Sequence, residues 1–251
     1  MAMTEKYLPM EQSKEFTVEA GRPDSITEGK LRSMKIHGVT RISINPQSMK
    51  EHTLELLGRK HTVEEIREKF MLARTLGFDN INMDLIAGLP EETLEDFKET
   101  LREVEALKPD SITVHTLVIK RASRLRKEQL EQGGEMREED ACIEPMQKEA
   151  EQFCRVHGYE PYYMYRQKNK AHTTRNTNQE NVAYAKPGKE CLYNIFIMEE
   201  LQSILALGSG GSSKIVFPEE NRMERVENVK SVDDYIGRID EMIRRKKESW
   251  R

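Results

Sequence analysis

Short apolar runs alternate along the first two-thirds of the chain with longer stretches whose apolar residues recur every three or four positions. EFTVEA (15–20), RISIN (41–45), NINMDLI (80–86) and SITVHTLVI (111–119) are rich in β-branched and aliphatic residues and read as strands. Between them, ITEGKLRSMKIHG (26–38) reads as a helix ending at Gly38. HTVEEIREKFMLARTLG (61–77) carries Ile66, Phe70, Ala73 and Leu76 on one helical stripe. Thr62 with Glu65, and Thr93 with Asp96, have the spacing of capping boxes, and the second predicts a helix running to about Lys108. Strand, helix, strand, helix in this order predicts parallel strands joined by helical crossovers.

The remainder is less regular. A helix is expected over 138–158, started or kinked by Pro145, then a strand over 159–167 and a polar mobile loop over 168–182. Residues 191–217 pair a helix with a glycine-rich turn, and 231–250 form a capped amphipathic helix. The turn, ALGSGGSSK (206–214), lacks the lysine spacing of a phosphate-binding loop and reads as a close-packed turn.

Composition narrows the function classes. The 251 residues have a net charge of −4, with 33% charged and 37% hydrophobic side chains, as in a soluble globular protein. No polyanion partner is implied, and RRKKESWR reads as the solvated tip of a last helix rather than a nucleic-acid arm. No apolar run approaches the roughly 18 residues of a membrane span, and no secretory signal pattern opens the chain, so a cytoplasmic location is the default expectation. Cys142, Cys154 and Cys191 are odd in number and widely spaced, which fits reduced structural thiols better than a disulfide framework or a metal motif.

Ligands of parallel α/β folds sit at the carboxyl ends of strands. Polar groups recur there: Glu19 on the first strand, Asn45 and Gln47 after the second, Asp84 on the third, His115 and Thr116 on the fourth. Each one alone could cap a helix or satisfy a loop. Together, if the sheet curves, they line an acidic, amide-bearing pocket suited to a cationic or polyhydroxylated ligand. Arg59 could anchor a ligand carboxylate or cap its own helix.

FTVEAGRP, GVTRISINPQSMKEHTLELLGRKHT, GFDNINMDLIAGLPEETLEDF and PDSITVHTLVI together resemble the oxygen-independent coproporphyrinogen III oxidases. Those are radical S-adenosylmethionine (SAM) enzymes, also called coproporphyrinogen dehydrogenases. YAKPGKECLYN and ILALGSGGSSK resemble the family's C-terminal motifs, and SINPQS with YMYRQKN its divergent clostridial-type branch. The resemblance implies an α/β fold. Residues 12–120 would form part of a TIM-like (β/α) barrel, and 121–251 a mixed α+β region of helices and short strands. It also implies roles. Glu19 would contact the SAM bound at a [4Fe-4S] cluster. Gln47, Arg59, Asp84 and the backbone at Val118 would contact a second SAM, and Ser212 lies near another contact to the first. The implied activity is oxidative decarboxylation of the two propionates of coproporphyrinogen III, giving protoporphyrinogen IX for haem synthesis. A haem chaperone or a haem-degrading methyltransferase shares these motifs and stays open as an alternative. Arg22 and Arg166 are candidate propionate partners.

One departure weighs against that activity. Members of the family hold their cluster with a CxxxCxxC motif and follow it with a glycine-rich GGTPT-like strand end; this sequence contains neither. No residue is therefore expected to bind metal. The chain is expected to be a C-terminal fragment, inactive alone and unable to hold the cluster, whose partner would be the missing N-terminal half of the barrel. A non-catalytic, barrel-completing module is the competing expectation.

Overall fold

The computed structural model describes residues 1–117, 138–166 and 180–250. It divides into two compact units, Met1–Glu190 and Cys191–Arg251. In the first, strands β1 (Thr17–Gly21), β2 (Arg41–Ile44), β3 (Ile81–Ala87) and β4 (Ser111–Thr116) lie parallel, in the spatial order of the sequence. Two further strands, β5 (Glu160–Arg166) and β6 (Glu180–Ala185), complete a six-stranded sheet of order β1-β2-β3-β4-β6-β5, with β6 antiparallel to both neighbours. This is an α/β fold with a partial, TIM-like parallel sheet.

Helices α1 (Ala2–Tyr7), α2 (Glu28–Ile36), α3 (Glu51–Leu56), α4 (Val63–Thr75), α5 (Leu94–Leu107) and α6 (Glu138–Val156) accompany the sheet. Both expected capping boxes form: the Thr62 and Thr93 hydroxyls accept from the backbone of Glu65 and Asp96, whose carboxylates accept in return. The stripes Ile66–Phe70–Ala73 and Phe97–Leu101–Val104 are buried, together with Met146, Ala150 and Cys154 of α6. They pack with Ile42, Ile44, Ile81, Met83, Leu85, Ile112 and Val114 of the sheet in one apolar cluster. Burial at this spacing is what selects helix over strand for these segments.

The second unit contains α7 (Leu192–Met198), a hairpin of β7 (Ser212–Phe217) and β8 (Arg222–Glu227), α8 (Val232–Gly237) and α9 (Ile239–Ser249). Its glycine-rich turn is close-packed, as expected. A Cβ on Gly211 would stand 3.2 Å from the carbonyl oxygens of Leu207 and Gly208. Buried Asn228 ties the turn down by donating to the Gly208 carbonyl at 2.7 Å.

Several elements differ from the sequence reading. Strand β6 begins inside the stretch expected to be loop, and the expected last helix breaks at Gly237–Arg238 into two. Strand β8 was not foreseen.

Candidate functional site

Alternation along parallel strands gives this sheet two faces of opposite character. Opposite the apolar cluster, a chain of polar side chains runs from strand to strand. Arg41 on β2 reaches across β3 to donate to Ser111 Oγ on β4 at 3.1 Å. Ser111 and Thr113 both donate to Asn82 Oδ1, at 2.9 and 3.1 Å. The Asn82 amide in turn donates to Asp84 Oδ1 at 2.6 Å. The other Asp84 oxygen faces His115 Nε2 at 3.7 Å, too long for a hydrogen bond. Toward β1, Ser43 donates to Glu19 Oε2 at 2.9 Å.

This face is sealed at one end and open at the other. Arg41, Ser43, Asn82 and Ser111, near the strand starts, are almost completely buried. Further along the same strands the Asp84 and His115 side chains are 17% and 35% exposed, and Glu19 is exposed. Polar groups thus become accessible toward the carboxyl ends of the strands, where parallel sheets bind ligands.

Gln47 sits beside Asp84 through the backbone. Its N–H donates to the Asp84 carbonyl and its own carbonyl accepts from Ile86 N–H, both at 3.0 Å. It does so at φ 71°, in the left-handed region a non-glycine residue rarely adopts and which clusters at ligand sites. The next residues hold that strained turn in place. Ser48 donates to buried Glu92 Oε1, and Met49 N–H donates to Thr100 Oγ1 of α5 at 3.2 Å.

Arg59 belongs to a different group. It follows the left-handed Gly58 that ends α3 and is half-buried, close to Arg22, Asp24 and His61. Burial, then the neighbouring Arg22 charge, lower its pKa. Arg22 grips Asp24 with two hydrogen bonds, at 2.8 and 3.1 Å, which hold the Asp24 carboxyl below its ordinary range. Ser212 opens β7 in the second unit and donates to Glu227 Oε1 across the hairpin at 2.6 Å. Val118 lies outside the described residues, as does the Arg166 side chain at the end of β5. The sequence reading therefore found Glu19 and Asp84 on one polar face and Gln47 against its rim. It missed Asn82, Ser43, Glu92 and His61, of which only Asn82 carried a signal: an amide two residues before Asp84 on the same strand face.

The cysteines do not fit a [4Fe-4S] cluster. Cys142 and Cys154 share helix α6, twelve residues and so roughly 18 Å apart along its axis. Burial pushes the Cys154 thiol up to about 12, far from the thiolate a cluster needs. Among the described residues, no three His, Cys, Asp or Glu side chains group to hold a metal ion. No helix among them is long and apolar enough to cross a membrane.

The parallel sheet and its polar rim define a class. Residues 4–104 match the radical SAM superfamily. The chain is 44% identical, over 95% of its length, to the oxygen-independent coproporphyrinogen-III oxidase-like protein HemZ of Bacillus subtilis, covering 46% of that relative. It is 28% identical to the heme chaperone HemW of Escherichia coli over 84% of this chain and 50% of that one. The chain thus spans about half the length of these curated relatives. The solved coproporphyrinogen III oxidase HemN of Escherichia coli shares the fold, with a TM-score of 0.66 at 21% identity over 90% of this chain and 49% of that one.

Proposed function

We propose that this chain is the SAM-facing part of a coproporphyrinogen III oxidase-like protein acting in haem biosynthesis, with a porphyrin carrying propionate side chains as substrate. The observation that carries the reading is the polar sheet face opening at Asp84. A buried amide fixes one oxygen of that carboxylate and leaves the other accessible beside His115. SAM offers complementary groups: an ammonium, two ribose hydroxyls and a carboxylate. Glu19 would accept from a SAM bound at a cluster; for a second SAM, Asp84 would accept from the ammonium or ribose hydroxyls, Gln47 would hydrogen-bond from the strained rim, and Arg59 would take the carboxylate.

Bound SAM would supply the carbon radical of this superfamily only next to a [4Fe-4S] cluster, which the cysteines of this chain do not fit. The chain's own share of the chemistry is then to bind and orient SAM and to keep its carboxylates from moving. Catalysis requires cluster ligands from elsewhere, such as an N-terminal barrel half. A heme chaperone-like role is the second reading, favoured by likeness to HemW along 84% of the chain.

Calorimetry of SAM binding to the whole chain tests the assignment. Asp84→Ala is expected to weaken binding by about 1–3 kcal/mol, the scale of a lost hydrogen bond to a charged group. Unchanged affinity in a folded variant would make Asp84 a structural partner of Asn82 and nothing more.

A further inference from the structure

The stretch after Gln47 is fastened, one residue after another, to the loop and helix that follow β3. Ser48 donates to Glu92 Oε1, and Met49 N–H donates to Thr100 Oγ1 at 3.2 Å. Lys50 pairs with Asp96 and Glu99 at 3.2 and 2.6 Å, and His52 hydrogen-bonds Glu91 at 2.8 Å. Water reaches the Lys50 and His52 pairs, and ion pairs contribute little there. Ser48, Glu92 and Thr100 are almost completely buried, so the inner contacts decide whether this stretch stays down.

Glu92 makes its inner contact with half of its carboxyl. Oε1 accepts from Ser48, whereas Oε2 is buried and has no hydrogen-bond partner. An ionised carboxylate left in that position is costly, and a neutral acid is much less so. Burial accordingly raises the Glu92 pKa against the pull of its hydroxyl neighbours. Of the charged groups that face it, Asp96 on α5 adds to that rise and Lys50 opposes it. Lys50 is already engaged by Asp96 and Glu99, and His52 by Glu91. Lifting residues 47–50 from α5 would return Glu92 to water, where the carboxylate is well solvated. The proton therefore favours the fastened stretch, and ionisation favours the lifted one.

We infer that Glu92 is a positioning residue for the ligand rim: through Ser48 its protonated carboxyl holds the strained Gln47 turn against Asp84, and loss of the proton frees the turn. Gln47 supplies the leverage. At φ 71° it keeps a conformation that persists only while its neighbours impose it. Glu92 acts through Ser48 and the backbone, without touching a ligand itself. That the rim receives SAM rests on the function proposed above; the fastening does not.

The test uses Glu92→Gln, which keeps an acceptor for Ser48 and cannot ionise. Calorimetry with S-adenosylhomocysteine on the whole chain should give equal affinities for the two proteins at the acid end. As pH climbs through the raised Glu92 value, the unmodified chain should fall behind the variant by up to about tenfold per pH unit, the limit for one linked proton. His115 and Asp84 titrate in both proteins and cancel in the ratio. A ratio constant with pH would overturn the proposal. If the nucleoside binds neither protein, the SAM reading fails, and hydrogen exchange decides about Glu92. Protection of the Gln47 and Ile86 amides, taken relative to the intrinsic rate at each pH, should drop with rising pH in the unmodified chain and hold in Glu92→Gln. The Ile42 amide, which donates to the Asn80 carbonyl at 3.1 Å, reports the sheet and should not follow. Ser48→Ala should lower Gln47 protection about fivefold at the acid end, where the proton is in place, as loss of one hydrogen bond does. Equal trends in Glu92→Gln and the unmodified chain, or an Ile42 amide that falls with the other two, would show that Glu92 acts on overall stability and not on the rim.

Discussion

Glu91 and Glu92 are neighbours with opposite fates. The Glu91 side chain is 62% exposed, while Glu92 as a residue is only 3% exposed. Both look like acids of a helix start in GLPEET, and nothing in their local spacing separates them. What separates them is Ser48, forty-four positions away, whose hydroxyl donates to Glu92. Burial raises the Glu92 pKa and outweighs the lowering from Ser48 and Thr53. The folded state thus binds this proton more tightly than the unfolded chain does, and its stability falls as pH climbs from the unfolded carboxyl value through the raised one. Glu92→Gln keeps the acceptor for Ser48 and removes the titration. Its melting temperature should match the unmodified protein at low pH and exceed it increasingly as pH climbs from the unfolded carboxyl value through the raised one. A difference that is constant with pH would show that Glu92 is not charged at a cost in the fold. The same contrast explains what was legible in the sequence. Glu19 and Asp84 announce themselves, being acids on short apolar strands. Glu92 and His61 owe their burial to packing between segments far apart in the chain.

Elements show the same division. Helices α4 and α5 were legible because cap, stripe and stop agree locally, each worth about 1 kcal/mol or less but pointing the same way. Strand β6 was not, because ENVAYA follows a polar stretch and becomes a strand by pairing with β4 and β5. The break in the last helix was equally hidden; Gly237 within an amphipathic pattern is compatible with either outcome. Helix α6 meets the end of β3 at a point where no side chain fits. Gly88 has φ 82°, and a Cβ there would stand 2.6 Å from Ile143 Cγ1. Gly88→Ala combines backbone strain of about 1 kcal/mol with overpacking of about 1–3 kcal/mol. Denaturant unfolding should register a loss within the sum of those ranges. Adding Ile143→Ala should make the double variant less unstable than the two single losses summed, because the clash goes and the strain stays. Strict additivity would mean that α6 already stands clear of Gly88.

At the scale of the whole molecule the question is what a partial barrel does with its open side. Among the described residues β1 ends the sheet, with β2 on one side and no strand on the other. It is only partly buried along its length, whereas β2 is buried at all four positions. A parallel strand normally lies inside a sheet covered on both faces, so an unpaired one is both weakly held and a template for pairing. Stability should therefore grade across the sheet. Native-state hydrogen exchange on dilute protein should find β1 amides exchanging at least about a hundredfold faster than those of β3 and β4, because edge strands open locally while central ones open only on global unfolding. Raising the protein concentration should then slow β1 selectively if copies pair through that edge. Protection of β1 equal to that of β3 in the dilute monomer would show that the edge is satisfied within the chain.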